Sequence, residues 1–192
     1  SLSGGENHRG RIGLPFALNM LENLPFWYTF FTRLGFEVVL SPESSRALYS
    51  YGQHTIPSDT VCYPAKIIHG HIEKLLEMDV DAIFYPCLPY NFDEGKGDNH
   101  YNCPVVAYYP ELIEANVSGL KKVRYLNPYF GMHRPRDFAK KAADYFGEMF
   151  GIPAGEVKSA SRAAFKAYDA YCSILHERGE RIIEEARKNG NQ

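Results

Sequence analysis

No apolar run in the 192 residues approaches the roughly 18 that a membrane-spanning helix needs. There is no basic excess either. The chain has 21 Lys and Arg against 23 Asp and Glu, a net charge of −2, and a pI near 6.4. That balance argues against nucleic acid as a partner. The opening residues, SLSGGENHRGR, lack the apolar centre of a signal peptide, and residues 1–9 read as a flexible arm or leader. The expected setting is therefore cytoplasmic and reducing, where the four cysteines stand as thiols or ligands rather than disulfides. Neither G-x-G-x-x-G nor a P-loop follows the first apolar segment, so a nucleotide site is not supported. No G-x-S-x-G marks a nucleophile. No C-x-x-C pair marks a zinc ribbon or a ferredoxin run. DEGKGD (93–98) lacks the spacing and closing Glu of an EF-hand and reads as a solvated turn.

What the chain does have is a core. It is 45% hydrophobic and 14% aromatic, enough for one soluble domain without staples. RIGLPFAL (11–18) reads as a first strand, and LPFWYTFFTRLG (24–35) as a buried helix with Pro25 at its start and Gly35 at its end. FEVVLSP (36–42) reads as a second strand, joined to the first by a right-handed crossover. A short helix over 41–52, a loop, a helix over 64–79 and a strand over 81–86 follow. The long polar segment 88–102 reads as a functional or mobile loop. PVVAYY (104–109) reads as a strand, 110–117 as a short helix and 122–130 as the last strand. Together these predict an α/β, Rossmann- or flavodoxin-like, mostly parallel sheet over residues 10–130. Residues 131–192 read as a helical extension and connector. Its last part reads as one long helix or two, interrupted near Gly179, with Val157, Ala160, Ala164, Ala167, Tyr171 and Ile174 turned inward.

Chemistry points to the cysteines. Cys62 stands where a loop becomes a helix, Cys87 follows the strand IFYP, and Cys103 closes the long loop. Helix N-termini and strand C-termini meet at the ligand-binding edge of a parallel sheet, so Cys62 and Cys87 should face each other there. Cys103 should sit at the opposite edge if PVVAYY is a parallel strand, unless the long loop folds back. Three converging thiolates would suit a soft metal, iron–sulfur or zinc. The helix N-terminus and Lys66, one turn on, would help hold such an anionic group. Spacing alone leaves three readings open: buried structural cysteines, metal ligands, or a nucleophile. Among the histidines, His71 shares a face with Ile67, Ile68 and Leu75 and reads as a core residue. His69 falls with Lys66 and Glu73 on the polar face and reads as solvated. His100 is the candidate fourth ligand or proton donor. His133 reads as a neighbour of a helix cap and Cys172 as packing.

Four segments carry a resemblance: IGLPFALNMLENLPFWYTFFTRLGFEVVLS, IPSDTVCYPAKIIHGHI, IFYPCLPY and NCPVVAYYPELIEAN. Together they resemble a region of the large acyl-CoA dehydratase activase-related proteins, also described as activators of 2-hydroxyglutaryl-CoA dehydratase. The region is more distantly similar to the subunits of 2-hydroxyacyl-CoA dehydratases. The resemblance is dense over residues 10–130 and loose over the tail. It implies an iron–sulfur cluster, [4Fe–4S] or double-cubane, with Cys62, Cys87 and Cys103 as ligands and Lys66 in support. It also implies a role in ATP-coupled low-potential electron transfer. Nothing in the chain matches the half of such proteins that hydrolyses ATP. The expected partners are other domains of the same polypeptide, a dehydratase, or a second copy of the chain.

Overall fold

The structure, a computed structural model, describes residues 9–190 apart from Glu94 and Lys96. Alternation of strand and helix produces the expected parallel sheet. Strands β1 (Arg11–Leu14), β2 (Glu37–Leu40), β3 (Ala82–Phe84) and β5 (Arg124–Leu126) pair in the order β2-β1-β3-β5, all parallel. Pro86 and Pro128 interrupt β3 and β5, which resume as β4 (Cys87–Tyr90) and β6 (Tyr129–Gly131), also parallel. The ladder bridges the gap: Tyr85 N donates to Leu126 O and Cys87 N to Pro128 O, both at 2.9 Å. These extensions lengthen the sheet at its C-terminal edge, beyond β1 and β2.

Seven helices accompany the strands among the described residues: α1 (Leu18–Glu22), α2 (Leu24–Arg33), α3 (Arg46–Gly52), α4 (Tyr63–Leu76), α5 (Pro104–Asn116), α6 (Pro135–Phe150) and α7 (Ala154–Lys188). Three differences from the sequence reading matter. PVVAYY is not a strand; it opens α5. Parallel β4 and β5 need a crossover between them, and that requirement overrides the β-propensity of its Val and Tyr residues. Gly179 does not interrupt α7, which runs unbroken for 35 residues, since one Gly costs a long helix only about 1 kcal/mol. The inward stripe of α7 also ends early. Val157, Ala160, Ala164 and Tyr168 are buried, whereas Tyr171 and Ile174 are exposed.

The two sides of the sheet are covered differently. On one side α2, α6 and α7 bring a layer of aromatic rings. The Trp27 and Phe84 rings lie 4.7 Å apart, Phe31 and Phe84 4.8 Å, and Phe26 and Phe138 5.2 Å. On the other side lie α4 and α5. A Cβ on Gly13 would stand 3.1 Å from Leu75 of α4, which places Gly13 and its neighbour Ile83 on that side. By strand alternation Tyr85 joins Ile83, opposite Phe84. Helix α3 then covers α4 from outside at backbone contact. A Cβ on Gly70 would meet Leu48 O at 2.0 Å, and one on Gly52 would meet Gly70 N at 2.2 Å.

Candidate functional site

All three cysteines singled out from the sequence stand at the C-terminal edge of the sheet. Cys87 is the first residue of β4. Cys62 is the N-cap of α4, with φ −62° and ψ 152°, and Cys103 the N-cap of α5, with φ −60° and ψ 153°. Both caps are followed by a proline in the first turn, where its missing N–H and fixed φ suit a helix start. Neither thiol caps its own helix by a side-chain hydrogen bond, and both are exposed. The expectation that Cys103 sits at the opposite edge fails because its segment is a helix. An α-helix crossing back from β4 to β5 begins at the same edge as the strand it leaves.

Cys87 is buried, and burial together with the carboxylate of Glu111 pushes its thiol up to about 11. Tyr129 and the backbone of Glu111 hydrogen-bond to it. Tyrosines fill the space around the thiols. Tyr85, completely buried, is pushed up by burial and by its neighbours Tyr109, Cys87 and Cys103. Its hydroxyl has no hydrogen-bond partner among the described residues. Tyr109, held up at about 12 by burial, also feels Cys62. The Tyr125 hydroxyl donates to Pro110 O at 2.9 Å.

The histidines of α4 are structural, and His69 departs from its expected solvated role. Both rings are fully buried. Thr55 donates to Gly52 O at 2.9 Å, so its oxygen accepts from His69 Nδ1–H at 2.7 Å. Nε2 of His69 then accepts from the Tyr109 hydroxyl at 3.0 Å. His71 bonds Ser41 at 2.7 Å and Ser44 at 2.9 Å. Burial lowers both histidines to about 4, so they are neutral at pH 7. Together they tie the turn after β2, the segment before α4 and helix α5 into one edge.

The remaining candidates scatter. Lys66 Nζ lies 3.9 Å from Asp59. His100 pairs with Asp93 at 3.7 Å instead of approaching a thiol. His133 lies against Tyr90 with ring centres 4.7 Å apart and planes tilted by 37°. It borders a groove of about 750 Å³ that Tyr129, Arg134, Lys140 and Lys141 also line. Cys172 packs half-buried on the core. Asn19 and Asn23 escaped sequence reading altogether. Both are buried at the same edge after β1, and both amide atoms of Asn19 and Oδ1 of Asn23 lack partners among the described residues. Leu18 beside them adopts a left-handed φ of 50°, which costs a non-glycine residue about 1–2 kcal/mol. A polar Asn inside the otherwise apolar run LPFALNML is the signal that would have found this corner.

Among the described residues no group of three His, Cys, Asp or Glu lies close enough to hold a metal ion. The three thiols therefore share an edge without meeting. Two of them are exposed helix caps and one is a buried strand residue.

A family comparison matches residues 11–192 to the CoA enzyme activase uncharacterised domain. The chain belongs to that family. No curated protein and no solved structure matches it. The match supports the acyl-CoA dehydratase activase-related resemblance, and it runs through the helical tail as well as the α/β core. No helix of the activase-family domain, among the described residues, is long and apolar enough to cross a membrane.

Proposed function

We propose that the domain ligates an iron–sulfur cluster through Cys62, Cys87 and Cys103, in a low-potential electron-transfer system that serves acyl-CoA dehydration. One observation carries the reading. The two cap cysteines are exposed, with matching backbone torsions, on helices whose N-termini point to the edge where Cys87 begins β4. Packing cysteines would be buried, and two of these three are not. The bound group would supply one-electron chemistry. The domain's own residues would hold and orient it: two helix N-termini face the anionic thiolates, Lys66 adds a cation one turn on, and the buried tyrosines keep water from the Cys87 side. Closing the site requires the exposed Cys62 and Cys103 side chains to turn toward Cys87. A second copy of the chain, another domain of the same polypeptide or a dehydratase is the partner that would cover them.

The test is anaerobic reconstitution with iron and sulfide, followed by visible absorption and EPR. A brown protein whose Cys62→Ala, Cys87→Ala and Cys103→Ala variants each lose the chromophore is the expected outcome. A colourless parent under those conditions removes the reading. A second reading, a docking domain without a cluster, is favoured by the outer half of α7, where Ile174, Leu175, Ile182 and Ile183 are each about half exposed or more. Under it, the cysteine variants match the parent and truncation of the outer helix abolishes binding to the rest of the system.

A further inference from the structure

Helix α7 carries opposite charge on its two halves, along one face. Lys158, Arg162 and Lys166 follow one another on the inner half, and Glu177, Glu180 and Glu184 on the outer half. At about 100° per residue all six fall within an arc of about 100°, turned away from the buried stripe of Val157, Ala160 and Ala164. All six are exposed, and none makes an ion pair among the described residues. The basic half lines a groove of about 570 Å³ between α6 and α7, where Arg136 of α6 adds a fourth cation against one acid, Asp169, beside the half-buried Phe165. The acidic half borders a second hollow of about 410 Å³, lined by Glu177, Glu180, Glu184 and Arg181.

A continuous helix cannot satisfy this pattern by itself. Glu177 lies about 16 Å further along the axis than Lys166, so the two rows cannot meet. An unrelated acidic partner would match the basic row and leave the acidic one over. A second copy of the same helix, laid antiparallel, matches both. With a two-fold axis at the level of Tyr171, Lys158 stands opposite Glu184 of the second copy and Arg162 opposite Glu180, each twice by symmetry. Lys166 falls beside His176 and Glu177 of that copy. A parallel pair would set like charges side by side.

We propose that this face is a self-complementary interface, through which two copies of the chain pair antiparallel along α7, each laying its acidic outer half in the basic groove of the other. The contact runs along about 40 Å of helix, from Lys158 to Glu184. Exposed ion pairs are individually weak and are screened by salt, so the pairing depends on the whole row and on ionic strength. Leu175 and Ile182 lie on the opposite side of α7 and stay open to a different partner. The pairing does not rest on the cysteines as ligands.

Sedimentation equilibrium of the full chain tests the pairing by charge exchange. The parent should dimerise at about 0.05 M salt, with an affinity that falls about tenfold or more at about 0.5 M. Arg162→Glu alone should be monomeric, because the new carboxylate would face Glu180 twice, and so should Glu180→Arg. Mixed with each other, these two variants should form a heterodimer, since their charges then oppose at both positions. Arg162→Glu and Glu180→Arg together in one chain should restore the homodimer. Both side chains are exposed, so helix content by circular dichroism should match the parent's in every variant. Single variants that dimerise like the parent overturn the interface. So does a parent dimer whose mixed and exchanged variants stay monomeric. A parent that is monomeric at about 0.05 M salt overturns it as well, and leaves the basic groove to an acidic partner other than this chain.

Discussion

The two sides of the central sheet are packed by opposite chemistry. Beneath it, α2, α6 and α7 pack ring against ring; Trp27 Nε1, buried there, has no hydrogen-bond partner among the described residues, and the buried Ser161 hydroxyl bonds only back to its own helix at Val157 O. Above it, α4 and α5 bury hydroxyls, two imidazoles and a thiol, and most are matched in pairs. The dry side has only to exclude water, so shape and area suffice. The polar side must satisfy each donor and acceptor, because an unpaired buried group costs about 1–3 kcal/mol. A side built under that obligation is where a site can be placed, and the three cysteines stand at its edge.

The sharpest test of this contrast is Trp27→Ala. It should remove about 3–5 kcal/mol of stability, read by urea unfolding, by opening a cavity in the ring layer. The chromophore sought in the proposed iron and sulfide reconstitution should be unaffected in the folded fraction if the two sides act independently.

Next in size is acid. His69 and His71 each have a folded pKa of about 4. The unfolded value is about 6.5, so each contributes stability that is complete above that pH. As pH falls toward 4 the unfolded chain takes up protons that the folded chain refuses, and about 3 kcal/mol per histidine is lost. Urea midpoints measured from pH 7.5 to pH 4 should show the loss, and His71→Gln should flatten it. A pH-independent midpoint would mean the polar side contributes no more than the dry one.

Gly70→Ala is smaller. Its Cβ would meet Leu48 O at 2.0 Å, so α3 must move off α4. A loss of about 1–3 kcal/mol is expected, with His69 exposed to exchange in NMR. The smallest effect has the opposite sign. Asn19→Leu removes two unpaired amide atoms and should raise stability by about 1 kcal/mol. A fall instead would show that the Asn19 amide is held by something at the edge.

Much of this was legible in the chain itself. The apolar runs at 11–18, 36–42 and 81–86 and the helix at 64–79 appear where their patterns put them, within a few residues. Cys62 and Cys87 were placed at one edge from their junctions alone. His71 was assigned to the core from its spacing with Ile67, Ile68 and Leu75, and it is there. The same logic failed for His69, since helical spacing describes faces of an isolated helix. It does not show that α3 lies over the outer face, admitted by Gly52 and Gly70. For PVVAYY, four β-favouring residues, two Val and two Tyr, outweighed a Cys-Pro start that belongs to a helix.

By itself the sequence determined the class of fold and the family. Those depend on local pattern and residue type, which a chain displays without folding. Only the tertiary structure decided that Cys103 stands at the same edge as Cys62 and Cys87, that His69 is a buried link to Tyr109, and that the Tyr85 hydroxyl has no partner among the described residues. Each of these is a relation between segments tens of residues apart, and their closeness is imposed by the parallel crossover and the layers packed on the sheet.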